Sequence, residues 1–463
     1  GGRIREVLDG FLDERPGLAD RICASVGTDV KAEHVVPEAD VLELRRRVTD
    51  LLASAGFPVS QEVRPDIAAG NVALQAGILE AWARWANDPA AHVASWLTSG
   101  APAGVKVDFN LDGLLQPVDG EHPTSVEELT SDEASFTNYG GVEDDPEAMK
   151  IIEGTIEKGW IREFSTLREL EEWLGASPVF NKFACIKKAR PDGSIKYRII
   201  MDSKESGVTG SSRKMYRQVL PRHTDLVTDV LTLLQDMQIG EEVVFFVCDA
   251  EDAYWQVPLH PHERQFYCSI LTMSDGRKRY LAYVRTPQGS VGAPLSWSQE
   301  FGLISRCVSG VLRCPAVPRS HRKQVYVDDP IISMKGPPEV TRRMTALAVL
   351  SWLVLGVALA LKKGQLGSCV NWIGATFTVS KDGLVATILE SRVTELHDLA
   401  RSINSRNLVS DKELRSFTGK AQSMASLLFA WRPFVYMLYG AITADTSGTV
   451  SYTHLTLPTI LLV

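Results

Sequence analysis

Tyr326-Val327-Asp328-Asp329 places two carboxylates side by side between the short apolar runs Gln324-Val325 and Pro330-Ile331-Ile332-Ser333. β-Branched and aromatic residues on both flanks predict a hairpin with an acidic turn. Adjacent aspartates at a hairpin tip repel each other, and a divalent cation removes that repulsion, because hard ions such as Mg²⁺ prefer carboxylate oxygens. An ordinary Asp-Pro turn is the competing reading, since both residues favour turns for local reasons. Asp249 is the candidate for a third carboxylate. It ends the continuous apolar run Val243–Cys248, the pattern of a strand buried on both faces. A charge there is costly unless paired or bound to metal, although in isolation Asp249 reads more readily as a helix N-cap. If that strand pairs with the acidic hairpin, three carboxylates converge at one end of a sheet. Such a trio can hold two Mg²⁺ about 4 Å apart for in-line phosphoryl transfer.

The elements that would position these groups follow from pattern. Phe183–Lys188 and Lys196–Met201 alternate like strands around Pro191-Asp192-Gly193-Ser194, which predicts a basic hairpin. Thr166 and Glu169 form a capping box opening a helix that ends near Gly175. Further helices are expected over 147–160, 225–237 and 295–308. Between the strand Tyr280–Val284 and the last of these lies Thr286-Pro287-Gln288-Gly289-Ser290-Val291-Gly292-Ala293-Pro294. Two Gly and two Pro in that stretch set a special backbone that a ligand could approach closely. A plain loop into a helix is the alternative.

The 463-residue chain has globular composition, 44% hydrophobic and 23% charged. Its net charge of -8 argues against a nucleic-acid partner, but the distribution reverses the inference: residues 1–150 carry -15, residues 151–463 carry +7, and residues 181–220 alone carry +7. Seven scattered Cys without a CxxC pair fit a reduced, intracellular setting better than a disulfide framework. The gaps separating Cys307, Cys314 and His321 do not suit a zinc finger. Residues 344–361 are uncharged over the lower length limit of a membrane span. With Gly356 inside, they read instead as a buried helix to about Leu355, a turn, and a strand Val357–Leu361, so no membrane association is expected. Residues 1–105 read as helical, with apolar periodicity over Val41–Leu52 and Val72–Trp85 and an aromatic cluster of Trp82, Trp85 and Trp96. Residues 106–146 read as an acidic, Gly/Pro-rich linker. The start at Gly1-Gly2 without Met reads as a fragment or processed piece, and 450–463 as a non-native tail.

Taken together, these motifs resemble a reverse transcriptase of the LTR-retrotransposon and retroviral kind over residues 145–440. Asp249 with Ala253-Tyr254 is similar to that family's first catalytic motif and Tyr326–Asp329 to its second. Pro287-Gln288-Gly289 with Gly292 and Pro294 resembles the turn under template and nucleotide. Lys187 and Arg198 resemble the cations of a fingers hairpin, with the lysine register open between Lys187 and Lys188. Asn371-Trp372-Ile373-Gly374 resembles the primer grip, and Leu414–Lys420 through Trp431-Arg432-Pro433 the thumb-to-connection region.

The resemblance implies an α+β right-hand polymerase with a ferredoxin-like palm sheet behind a mostly helical N-terminal region. Residues 1–105 would be upstream polyprotein, 147–390 fingers and palm, and 391–449 thumb. It further implies Asp249, Asp328 and Asp329 as catalytic metal ligands for two Mg²⁺ (or Mn²⁺). Lys187, Arg198, Tyr254, Gln288 and Gly289 would bind nucleotide, Tyr254 by excluding a 2′-hydroxyl, and Trp372, Ile373 and Gly374 would hold the primer. The implied partners are an RNA/DNA template-primer and dNTPs, in a cytoplasmic particle or the nucleus. A folded but inactive nucleic-acid-binding remnant is the alternative.

Overall fold

The computed structural model describes residues 1–60, 73–118, 126, 129, 132–190, 193–213, 216–314, 317, 319–406, 408–443 and 449–451. Its frame is a four-stranded antiparallel sheet in the order Leu359–Gly367, Glu242–Ala250, Asp329–Gly336, His321–Tyr326. Along the chain these strands alternate with the helices Ala293–Leu312 and Pro338–Val354, giving the β-α-β-β-α-β order of a ferredoxin-like sheet. The strands Cys268–Thr272 and Lys278–Tyr283 fall inside the first crossover, but pair with Ile161–Phe164 in a separate sheet.

Glu242–Ala250 has a neighbour on each side and a hydrophobic layer on each face. Phe246, Cys248 and Ala250 enter the core shared with the two crossover helices. Val243, Phe245 and Val247 enter another, built with the helix His223–Leu234 and the sheet of Cys369–Trp372, Ala375–Ser380 and Gly383–Ile388. A strand covered on both faces has no polar side to present, which accounts for its unbroken apolar run. Phe245 and Phe246 are fully buried, each contributing about 1.5–3 kcal/mol of transfer free energy.

Residues 344–361 divide as their Gly implies: the helix stops at Val354, Gly356 turns with φ 80°, and a strand runs from Leu359. From Met344 onward this helix is apolar all round because other elements cover it all round. No helix among the described residues is long and apolar enough to cross a membrane.

Part of that cover comes from the N-terminal helices Gly2–Asp13, Leu18–Ser25, Glu38–Ser54 and Ala76–Trp85. Leu8, Phe11, Ile22, Leu44 and Val48 share one core with Leu303, Leu347 and Leu350. The expected division at residue 105 is therefore not a division in packing. Nor does the stretch 106–146 lie outside the cores, since Phe109, Leu111 and Val142 are buried. An acidic, Gly/Pro-rich composition does not forbid burial, and Gln116–Pro117 pairs with Tyr216–Arg217 in a short two-stranded sheet. The Lys106 and Val107 N–H groups donate to Glu263 Oε1 at 3.1 and 2.7 Å and the Leu111 N–H to the Tyr216 hydroxyl at 3.0 Å, which pins the backbone there. Of the expected Trp cluster, Trp82 and Trp96 are buried, while Trp85 and Trp96 meet Phe57 and Phe109 at ring-centroid distances of 6.5 and 6.0 Å. The helix expected from Val72 begins at Ala76, and residues 61–72 lie outside the described residues. Of the 450–463 tail only 450 and 451 are described, in a short strand paired with Leu408–Ser410; the remainder lies outside the described residues.

The basic hairpin forms from Lys182–Ala189 and Ile195–Asp202. Gly193 turns with φ 82° and the Arg190 N–H donates to the Ser194 carbonyl at 2.8 Å, while Pro191 and Asp192 lie outside the described residues. The capping box at Thr166 and Glu169 is present, and Gly175 ends its helix in the left-handed region.

Candidate active site

Ile331 lies opposite Val247 and Ile332 opposite Phe246 in the central pairing. Continued by two residues, that register sets Asp329 across from Asp249. The Ala250 N–H also donates to the Asp328 carbonyl at 3.2 Å, closing the pair across the acidic turn. Asp249 belongs to the strand itself, which runs on to Ala250, so the helix N-cap alternative falls away. The turn residue Val327 has φ 58°, uncommon for a β-branched side chain. Two indoles hold the turn. Trp297 Nε1 donates to the Val327 carbonyl at 3.0 Å, and Trp372 Nε1 donates to the Asp329 carbonyl at 3.0 Å.

Burial and neighbouring charge raise the pKa values of Asp328 and Asp329. Burial lifts Asp328 above the ordinary aspartate range, and the Asp249 charge adds to it. Asp329 is pushed up to about 7, first by burial and then by Asp249 and Asp328. The Lys363 ammonium pairs with Asp249. Burial opposes the charge on Lys363, but the hydrogen bond to Asp249 and the nearby Glu251 and Asp328 outweigh it, leaving that amine above its usual value. Among the described residues, no three His, Cys, Asp or Glu side chains stand in a ready metal-holding arrangement. The trio is brought together by the sheet, and its chelating geometry is not preformed.

Asp249 and Asp328 open onto a cleft of about 740 Å³ that is also lined by Tyr254, Gln288, Lys196, Arg198 and Lys363. The Tyr254 hydroxyl is held above its usual pKa by burial and by the Asp328 charge. The Tyr254 carbonyl accepts from Thr286 Oγ1 at 2.5 Å, tying the first motif to the Gly/Pro turn. In that turn the close approach is made by protein. Gly289 has φ 109°, and a Cβ there would collide with the Met201 carbonyl of the basic hairpin; one at Gly292 would collide with Ala103. The Met201 N–H donates to the Gln288 carbonyl at 3.2 Å, so hairpin and turn are fastened together.

In the basic hairpin, of the two lysines left open by the register, Lys188 shares the Arg198 face and Lys187 does not. Side chains alternate across a strand. Arg198 pairs with Ile186 and Lys196 with Lys188 on one face, whereas Lys187 pairs with Tyr197 on the other. Lys187 makes an ion pair with Asp145 at 2.5 Å, a contact that raises its pKa. It is therefore turned from the face that carries Arg198. Lys196 takes its place on the cleft. Its ammonium sits below its usual pKa through burial and then through Arg198, Lys363 and Arg190, with Asp249 opposing. The two-residue spacing from Arg198 was the signal that could have identified it. Trp297, the other residue not anticipated, carried no local signal.

Trp372 pairs with Ala375, leaving Ile373 and Gly374 as a two-residue loop with φ values of 42° and 89°. Positive φ at both positions is the mark of a type I′ hairpin turn. This turn does not line the cleft and reaches the acidic hairpin through the Trp372 indole.

No protein-family model matches the chain, and no curated protein matches it. Among solved structures it is similar to a foamy viral protease-reverse transcriptase, termed dRH, in complex with double-stranded DNA. The identity is 16% and the TM-score 0.46, over 71% of this chain and 49% of that one. A foamy viral protease-reverse transcriptase in complex with double-stranded DNA is similar at 16% identity and TM-score 0.43, over 73% and 60%. The chain thus spans between half and three fifths of those proteins. Likenesses at this level carry no functional weight.

Proposed function

We propose that the chain is the polymerase part of a reverse transcriptase, extending a primer 3′-hydroxyl with dNTPs on a nucleic-acid template. The observation that carries this reading is the pairing register that sets Asp249 beside Asp328 and Asp329, in a cleft whose facing wall bears Lys196 and Arg198. In this reading the central sheet is the palm, the basic hairpin belongs to the fingers, and the helices from 390 onward form the thumb.

The donor set fits divalent cations. Burial, and then the charges of Asp249 and Asp328, lift Asp329 to about 7, and Lys363 is the cation that pairs directly with Asp249. Asp249, Asp328 and Asp329 would hold two Mg²⁺ or Mn²⁺, which supply Lewis-acid activation of the hydroxyl and neutralise the leaving pyrophosphate. Arg198 and Lys196 offer cations to the triphosphate. Tyr254, half-buried beside Asp328, forms the floor under the sugar and excludes a 2′-hydroxyl. Gln288 and Gly289 bring the fingers hairpin and the nucleotide turn into one wall. Lys363 has to leave Asp249 when cations bind, and its pairing is the observation that favours the second reading, an inactive nucleic-acid-binding remnant.

Primer extension on poly(rA)/oligo(dT) with Mg²⁺ or Mn²⁺ separates the two. Incorporation abolished by Asp328→Asn supports the polymerase, and filter binding without incorporation supports the remnant. NTP incorporation equal to dNTP incorporation would overturn the role given to Tyr254.

A further inference from the structure

His223 opens the helix His223–Leu234 and is 5% exposed. Its Nε2 lies 3.1 Å from the Ile373 carbonyl, and its Nδ1 is hydrogen-bonded to Ser426 Oγ, just past the helix Asp411–Ala425. A carbonyl only accepts, so Nε2 carries the proton and donates, leaving Nδ1 to accept from the Ser426 hydroxyl in the neutral ring. The single hydrogen of that hydroxyl is shared with the Ser423 carbonyl, which accepts from Ser426 Oγ at 2.6 Å. The ring stacks on Phe377 at 6.0 Å.

Ile373 is an improbable choice for the turn it occupies. The first central position of a type I′ turn favours Asn, Asp or Gly, and a β-branched residue with φ 42° is strained there. Such a conformation persists only where the surroundings over-determine it. Only a small cavity of about 10 Å³, lined by His223, Gly374, Arg392, Glu395 and Lys420, adjoins the turn. Hydrogen bonds hold the turn at both ends. Trp372 fastens one end to the Asp329 carbonyl and His223 fastens the other to Ser426.

We propose that His223 is a positioning residue that latches the Trp372–Gly374 turn to Ser426, and so fixes the primer terminus relative to Asp328 and Asp329. The second half rests on the polymerase reading; the latch itself does not. His223→Phe keeps a ring on Phe377 and removes both hydrogen bonds. In primer extension with a heparin trap, the length added per binding event is expected to fall about tenfold, with KM for dTTP unchanged. Ser426→Ala is expected to fall less, and the double variant no further than His223→Phe alone, because both remove one link. His223→Gln, with an amide donor in place of Nε2–H, is expected to recover most of the loss, and carries the test with Ser426→Ala if His223→Phe does not fold. Additive losses, or a loss carried entirely in the dTTP KM, overturn the proposal. Should the wild-type chain extend no primer, the polymerase reading fails and hydrogen exchange decides the latch. Faster exchange at residues 372–375 in the variants upholds it, and unchanged exchange overturns it.

Discussion

Asp329→Asn should stabilise this protein while abolishing its chemistry, and the stabilisation should depend on pH. An unperturbed aspartate titrates near ~3.9, whereas Asp329 in the fold is pushed up to about 7 by burial, Asp249 and Asp328. Because the folded pKa is the higher, ionisation opposes folding. The penalty is absent below the unfolded pKa, grows as pH rises, and is complete above about 7. The full interval corresponds to about 4 kcal/mol at pH 8 and about 1.5 kcal/mol at pH 5. A buried Asn removes the charge but its amide takes back about 1–2 kcal/mol in desolvation. The expected net gain is thus about 2–3 kcal/mol at pH 8 and near zero at pH 5. Urea denaturation of both proteins in EDTA at the two pH values measures it. Mg²⁺ at about ten times its Kd should then return about 1.4 kcal/mol to the wild type and less to the variant. An Asn variant no more stable than wild type at pH 8, or an advantage that does not grow with pH, would refute the account of the trio as an uncompensated charge cluster.

Other outcomes follow from the same geometry. Arg198→Ala should raise the KM for dNTP about 10- to 100-fold, the worth of a charge-assisted hydrogen bond. Lys187→Ala should leave it nearly unchanged, because Lys187 is spent on Asp145 across the hairpin; equal effects would put both on the cleft. Gly289→Ala should cost about 1–3 kcal/mol in urea denaturation, since the new Cβ meets the Met201 carbonyl at an unfavourable φ. A chain beginning at residue 106 should be largely insoluble, because Leu303, Leu347 and Leu350 lose the helices that share their core. Soluble yield and size-exclusion chromatography report it, and a well-folded soluble monomer would show the N-terminal helices to be dispensable.

The local rules carried much of this structure. The unbroken run ending at Asp249 required a strand covered on two faces, the β-branched flanks of Asp328 and Asp329 required a hairpin, and Gly356 required the break between helix and strand. Each depends on neighbours within a few residues, where pattern and backbone sterics act directly. Which residues meet across the cleft was settled by tertiary structure. The sheet register, a sum over six paired residues, put Asp249 opposite Asp329. The hairpin register turned Lys187 toward Asp145 and Lys196 toward the carboxylates, because a shift of one residue moves a side chain to the other face. Composition separated residues 1–146 from the remainder, yet their apolar side chains fill the same cores, since burial answers to area and shape rather than to position along the chain. The indoles of Trp297 and Trp372 and the ring of His223 hold the acidic turn and the Trp372–Gly374 turn from distant parts of the sequence. No spacing rule connects them, because only the folded backbone brings those carbonyls within their reach.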